Sequence, residues 1–158
     1  MSKEIERKFI LSKIPRSLPK IKIKQGYLQS DKNRTVRIRC IIDLNNNLKN
    51  ILTIKGPSSP SGMSRFEYEI NVPNKEAKEL FKLCYQPLIE KIRHIYMFKN
   101  MKWELDEFHG GNNGLLIGEI ELASESMKFE RPSFVLEEVT GQSRYYNSML
   151  QKNPYTNW

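Results

Sequence analysis

Polar and apolar residues alternate through most of this chain, and turn-forming clusters interrupt the alternation. Segments rich in Ile, Val, Leu, Phe and Tyr run over about residues 3–11, 20–30, 34–43, 48–55, 64–72, 88–99, 101–108 and 115–122. Asp43–Asn47 (DLNNN), Gly56–Gly62 (GPSSPSG) and Gly110–Gly114 (GGNNG) lie between segments. A period of two is the strand period, so these segments predict eight strands, mostly in hairpin succession. The expected fold is β-dominated α+β: a closed eight-stranded antiparallel barrel, with a few helices packed outside. One helix is clear, because Ala77, Leu80, Phe81 and Cys84 fall at i, i+3, i+4 and i+7, with Asn74 as the expected N-cap. A second, short helix is expected over Tyr145–Lys152, and Pro132 is expected to open a turn or helix before it. No repeat, low-complexity tract or boundary interrupts the chain, so residues 1–158 read as one domain.

The charges obey the same parity. Glu4, Glu6 and Lys8 share one strand face, with Ile5 and Phe9 opposite. Arg37 and Arg39 share a face, as do Thr53 and Lys55, Arg65, Glu67 and Glu69, Lys91 and Arg93, Glu104 and Asp106, and Glu119 and Glu121. On one strand this would describe a solvated outer face. Recurring on seven strands, with repeated Glu-x-Glu and Arg-x-Arg, it predicts charged faces that converge on the barrel axis while the apolar faces pack outward against helices. A lumen of unpaired charge would be prohibitively costly. Its acids and bases must hold one another, water, metal ions or an anionic ligand. Carboxylates suit hard divalent cations, and Lys and Arg suit phosphate oxygens, so a metal–polyphosphate complex matches both signs.

Composition narrows the classes. The 158-residue chain carries a net charge of +8. Residues 1–100 hold 21 Lys/Arg against 9 Asp/Glu, whereas residues 101–158 hold 5 against 9. That basic excess suggests an anionic partner. A nucleic-acid-binding module is disfavoured, because aromatics do not interleave with the bases as a stacking surface requires. The opening MSKEIERKFIL has charges where a signal peptide needs an apolar run, and no stretch approaches the roughly 20 apolar residues of a membrane span. Cys40 and Cys84 form neither a disulfide framework nor a zinc spacing, and His94 and His109 read as structural. A cytoplasmic protein without membrane or nucleic-acid partners is expected. Tyr27 shares parity with Gln25 and Gln29 and so can enter the lumen, while Trp103 and Tyr96 read as core. Tyr145, Tyr146, Met149 and Leu150 can plug one tunnel mouth or dock on the wall.

Glu4-Ile5-Glu6-Arg7-Lys8 matches the Glu-x-Glu-x-Lys signature of the CYTH domain, or triphosphate tunnel metalloenzyme, family. Arg37-Ile38-Arg39, Thr53-Ile54-Lys55-Gly56, Arg65-Phe66-Glu67-Tyr68-Glu69, Glu90-Lys91-Ile92-Arg93, Trp103-Glu104-Leu105-Asp106 and Gly118-Glu119-Ile120-Glu121 follow in order. The stretches Gln25–Leu28, Phe129–Pro132 and Arg144–Asn147 resemble the short bacterial branch, so the likeness spans essentially the whole chain. It implies an eight-stranded tunnel that hydrolyses or cyclises triphosphates with Mg²⁺ or Mn²⁺, with room for a two-metal site. By position, Glu4, Glu6, Glu119 and Glu121 resemble the principal metal-site acids, and Glu67, Glu69 and Asp106 resemble further acids for a second metal or the attacking water. Glu4, Glu6, Lys8 and Asp106 are the catalytic candidates. Lys8, Arg37, Arg39, Lys55, Arg65, Lys91, Arg93 and, beside the C-terminal helix, Arg144 resemble the phosphate cradle. Class IV adenylyl cyclases carry a His-Phe pair before the signature, where this chain has only Met1-Ser2-Lys3, and thiamine triphosphatases are usually longer. The resemblance therefore points to an inorganic triphosphatase acting on tripolyphosphate, and it leaves a homodimer open.

Overall fold

A computed structural model describes residues 3–158. The strands are β1 (Lys3–Leu11), β2 (Lys20–Ser30), β3 (Thr35–Ile42), β4 (Leu48–Lys55), β5 (Ser64–Asn71), β6 (Ile89–Phe98), β7 (Met101–Phe108), β8 (Leu116–Glu121) and β9 (Val135–Glu138). The first eight match the predicted segments to within a residue or two at each end. They hydrogen-bond in the order β5-β4-β3-β2-β6-β7-β8-β1, all antiparallel, and β1 closes the barrel by pairing with β5. Closure is shared. Lys3–Ile5 of β1 face Phe66–Ser64 of β5, and the far half of β1 meets β9 at Phe9 and Leu11. The sequence pattern did not predict β9, whose four residues VLEE are too short to display a period.

Local chemistry explains the turns. Asp43 Oδ1 accepts from the backbone N–H groups of Asn45 and Asn47, and Asp31 Oδ1 accepts from those of Asn33 and Arg34. Each carboxylate thereby stabilises its own hairpin loop. Lys99 and Asn100 both take positive φ, 51° and 63°, the backbone a two-residue hairpin needs between β6 and β7.

Helix α1 (Asn74–Lys82) lays Ala77, Leu80 and Phe81 against Ile38, Leu28, Leu52 and Leu88. Its N-cap is Pro73, and the expected cap Asn74 is instead the first helical residue, its Oδ1 accepting from Asn50 Nδ2 at 2.6 Å. Helix α2 (Asn147–Lys152) starts two residues later than predicted, because residues 143–145 form a 3₁₀ turn. Pro132 opens a turn, closed by Val135 N–H onto its carbonyl, that leads into β9.

The apolar faces point outward, but helices cover only part of them. Phe9, Trp103, Leu105 and Ile120 are buried under Met127, Phe129 and Phe134 of the segment before β9, which is not helical. Ile54, Phe66, Tyr68 and Ile70, the outward row of β4 and β5, stay exposed, so the expectation of a helix-covered wall fails there. Cys84 is buried and Cys40 half-buried, and both are free thiols. No helix among the described residues is long and apolar enough to cross a membrane.

Candidate active site

Because successive side chains alternate, an outward apolar face forces the other face onto the barrel axis. The result is a cavity of about 280 Å³ inside the barrel. It is lined by seven basic residues, Lys8, Arg37, Arg39, Lys55, Arg65, Lys91 and Arg93. Seven acids line it too: Glu4, Glu6, Glu67, Glu69, Glu104, Glu119 and Glu121. The lining is therefore balanced, and the net charge of +8 lies outside it. The basic excess that suggested an anionic partner does not itself mark this cavity. The interleaving of signs does.

Two ionic clusters organise the lumen. In the first, Lys55 Nζ bridges Glu4 at 2.8 Å and Glu67 at 3.2 Å, and Arg65 approaches Glu4 at 3.9 Å. Register explains this, since Glu4 faces Arg65 across β1–β5 and Lys55 faces Glu67 across β4–β5. In the second, Arg93 grips Asp106 through two N–H···O bonds of 2.8 and 2.9 Å, and Lys91 Nζ reaches the same carboxylate at 2.7 Å. Arg93 also contacts Glu104 at 3.3 Å and Glu119 at 3.6 Å. Between the clusters, Thr53 Oγ1 accepts from Arg37 Nη2 and donates to Glu69.

The acids also meet one another. Glu6 and Glu119 perturb each other's ionisation, as do Glu4 and Glu67. Burial, then Glu119 and Glu4, push the Glu6 carboxyl well above its usual range. Burial also opposes ionisation of Glu119, but Lys8 and Arg93 outweigh it and hold that carboxyl well down. Burial likewise raises Glu67 and Glu121, whereas Lys55 overcomes the burial of Glu4 and keeps it lowered. Burial, with Arg37 and Arg93 nearby, drops Arg39 to about 9, and burial drops Lys91 to about 7 despite Asp106. Among the described residues no three His, Cys, Asp or Glu side chains are grouped closely enough to hold a metal as they stand. An all-oxygen donor set in which neighbouring carboxyls disfavour one another's ionisation nevertheless fits a hard divalent cation, which stabilises the ionised form.

Two expected site residues sit elsewhere. Asp106 is fully buried behind the lining, both its oxygens engaged by Arg93 and Lys91. Arg144 is exposed and outside the cavity, its guanidinium 3.8 Å from the Trp158 ring centroid and 5.4 Å from that of Tyr145. The C-terminal segment both docks and lines. Leu150 and Gln151 are buried, while Tyr146, Asn147 and Ser148 border the cavity. Tyr146 lies 5.5 Å from Lys8 Nζ and 5.6 Å from the Arg65 guanidinium. Strand parity could not find these three residues, because they belong to no strand. Tyr27 lines the cavity and also packs on Ile89, Phe108 and Leu150. Gly62 and Gly141, both at φ 77°, meet at one end, where a Cβ on Gly62 would come within 2.5 Å of Gly141 Cα. Only glycine permits that approach.

The model of the CYTH domain family matches residues 2–154. An inorganic triphosphatase of Acetivibrio thermocellus is 47% identical over 161 residues, covering 100% of this chain and 99% of that protein. An inorganic triphosphatase of Nitrosomonas europaea is 32% identical, covering 93% and 95%. The crystal structure of an inorganic triphosphatase superposes with a TM-score of 0.64 and 29% identity over 94% of this chain and 93% of that one.

Proposed function

This chain belongs to the CYTH domain family, and on that premise we propose that it is a divalent-metal-dependent triphosphatase that hydrolyses inorganic tripolyphosphate, with Mg²⁺ or Mn²⁺ as its cation. The observation that carries the reading is the lumen itself, where seven carboxyls and seven Lys and Arg side chains line one cavity. Glu4, Glu6, Glu119 and Glu121, with Glu67 and Glu69 adjoining, would hold the cation. Bound there, it would neutralise phosphate charge and acidify a water.

The chain's own residues supply the rest. Lys8, Arg37, Arg39, Lys55, Arg65 and Arg93 line the cavity from five strands, so a linear triphosphate would meet cations along most of the wall, with the acids of β7 and β8 facing them. Such positioning and charge neutralisation account for most of the catalysis of phosphoryl transfer. Water oxygen bonds to the terminal phosphorus as the bridging P–O bond breaks, that bond's electron pair goes to the pyrophosphate oxygen, and the water's proton passes to an ionised carboxylate of the lumen. Lys and Arg donors stabilise that leaving oxygen. Asp106 serves this reading by holding Lys91 and Arg93 in place rather than by touching substrate. The proposal takes the protein as a cytoplasmic enzyme of a small molecule, its thiols unpaired as in a reducing compartment.

Phosphate release from tripolyphosphate with and without Mg²⁺ or Mn²⁺ tests it. Activity in excess chelator would end the metal assignment. Glu4→Gln and Glu6→Gln are expected to abolish turnover with the fold intact. A panel adding thiamine triphosphate, ATP and longer polyphosphate, with products resolved, identifies the substrate, and cyclic AMP among the products would replace hydrolysis by cyclisation.

A further inference from the structure

Gln25 lies mid-strand in β2, directly opposite Arg39 of β3, and is wholly buried. Its amide makes three hydrogen bonds. Arg39 Nε donates to Gln25 Oε1 at 2.9 Å. Gln25 Nε2 donates to the Tyr27 hydroxyl at 3.0 Å and to Asn147 Oδ1 at 3.1 Å. Asn147 Oδ1 also accepts from Lys91 Nζ at 2.9 Å. Arginine and lysine can only donate, so the two cations fix the orientation of both amides. The network thus ties β2, β3, β6 and α2 together through neutral groups.

The neutrality is informative. Arg37, Arg65 and Arg93 each have a carboxylate within 4 Å, at 3.8, 3.9 and 2.8 Å respectively. Among the described residues Arg39 has none, and Gln25 is its one hydrogen-bond partner. A glutamate at position 25 would have the same shape and would pair a half-buried cation that has no carboxylate beside it. Departures from local stability rules concentrate at functional sites. The Nε edge of Arg39 is occupied, and its two terminal nitrogens keep the fork geometry that grips a phosphate by two bonds.

We propose that Gln25 is a positioning residue of the triphosphate site, a neutral amide that fixes the Arg39 guanidinium by one edge without cancelling its charge and, through Asn147, holds Lys91 in the same frame. This rests on the tripolyphosphatase reading above. Ground-state affinity for phosphate should therefore depend on the charge at position 25 more than on its shape.

The experiment compares parent, Gln25→Glu and Gln25→Met in steady-state hydrolysis of tripolyphosphate with Mg²⁺, with thermal unfolding and calorimetric binding of pyrophosphate alongside. Gln25→Glu is expected to raise KM roughly ten- to a hundredfold, the worth of one charge-assisted bond, with kcat within about threefold of the parent. Gln25→Met keeps the charge and loses only the anchor, so its KM should rise less, by about three- to tenfold. Pyrophosphate binding should weaken in the same order. A purely structural Gln25 would lower the unfolding temperature and leave KM alone. The proposal is overturned if an active parent and both variants share one KM within about twofold, or if Gln25→Met loses more affinity than Gln25→Glu. Should Gln25→Glu fail to fold, Gln25→Met decides by itself, since an unchanged KM refutes and a raised one supports. If the parent does not cleave tripolyphosphate, the function above fails instead, and the order of pyrophosphate affinities decides the role of Gln25.

Discussion

Replacing Asp106 by Asn removes one negative charge and almost no volume from the densest part of the barrel. Asp106 is 0% exposed and meets Arg93 at 2.8 and 2.9 Å and Lys91 at 2.7 Å. Asparagine can accept from one of these groups but turns an N–H₂ donor towards another, leaving Arg93 with Glu104 and Glu119 as distant compensation and Lys91, already lowered to about 7, without its close carboxylate. Breaking a buried ion pair at one partner costs about 3–5 kcal/mol. For a chain of this size that is a fall in Tm of about 6–20 °C, at roughly 2–4 °C per kcal/mol. Urea denaturation of parent and Asp106→Asn at pH 7 measures the difference. Acid provides an internal check. Burial pushes the Asp106 carboxyl up, but Arg93 and Lys91 overcome it and hold it at about 2. A carboxyl depressed below its unfolded value of about 3.9 stabilises the fold above that pH and ceases to do so as pH falls through its folded value. The gap between parent and variant should therefore be full above pH 4 and shrink between about pH 4 and 2. A gap below about 1 kcal/mol at pH 7, or one indifferent to acid, would refute this account of the second cluster.

Three further outcomes are expected. Mg²⁺ or Mn²⁺ binding should release protons, increasingly as pH is lowered, because burial, Glu119 and Glu4 raise the Glu6 carboxyl and the cation favours its ionised form. Calorimetry in two buffers of unlike ionisation enthalpy reads this, Glu6→Gln should release fewer, and proton-neutral binding by the parent at every pH contradicts the raised Glu6 carboxyl. Arg144→Ala should leave KM for tripolyphosphate unchanged, since Arg144 stacks on Trp158 outside the cavity, and a tenfold rise would return it to the substrate site. Gly26→Ala should destabilise by about 1–3 kcal/mol in urea, because its Cβ would come within 2.6 Å of Cys84 Sγ and 2.7 Å of Leu88 Cδ2.

Strand parity located most of the cavity wall because a barrel obeys it strictly. Once Ile38, Trp103 and Ile120 face outward, Arg37, Arg39, Glu104 and Glu119 have no other place to go. Parity cannot tell a residue that lines a cavity from one buried behind its neighbours, and so Asp106 looked like Glu104. It is silent on Tyr146 and Asn147, which reach the lumen from a loop and a helix start. Asn74 fitted a cap by residue type, but Pro73 before it is already extended and takes the cap position. The outward row Ile54, Phe66, Tyr68 and Ile70 read as buried on hydrophobicity, whereas among the described residues the one helix longer than two turns is α1, which packs on β3 and β4 elsewhere on the wall. Composition misled in a different way. The basic excess is real, but it belongs to the exterior.

The shared closure by β1 has a consequence for how the molecule is made. On the ribosome, β2 to β5 can pair as each emerges, since they are neighbours in sequence. Strand β1 cannot be fully seated until residues 116–138 arrive to supply β8 and β9. Glu4, Glu6 and Lys8 ride on that strand, so the nascent protein is an open, curved sheet with two of the seven lumen carboxylates not yet in place and those of β8 not yet made. Such long-range zippering is slow. Recovery of activity on refolding should trail recovery of bulk strand structure, and a ribosome stalled before β8 would release a chain that has most of its sheet and none of its chemistry.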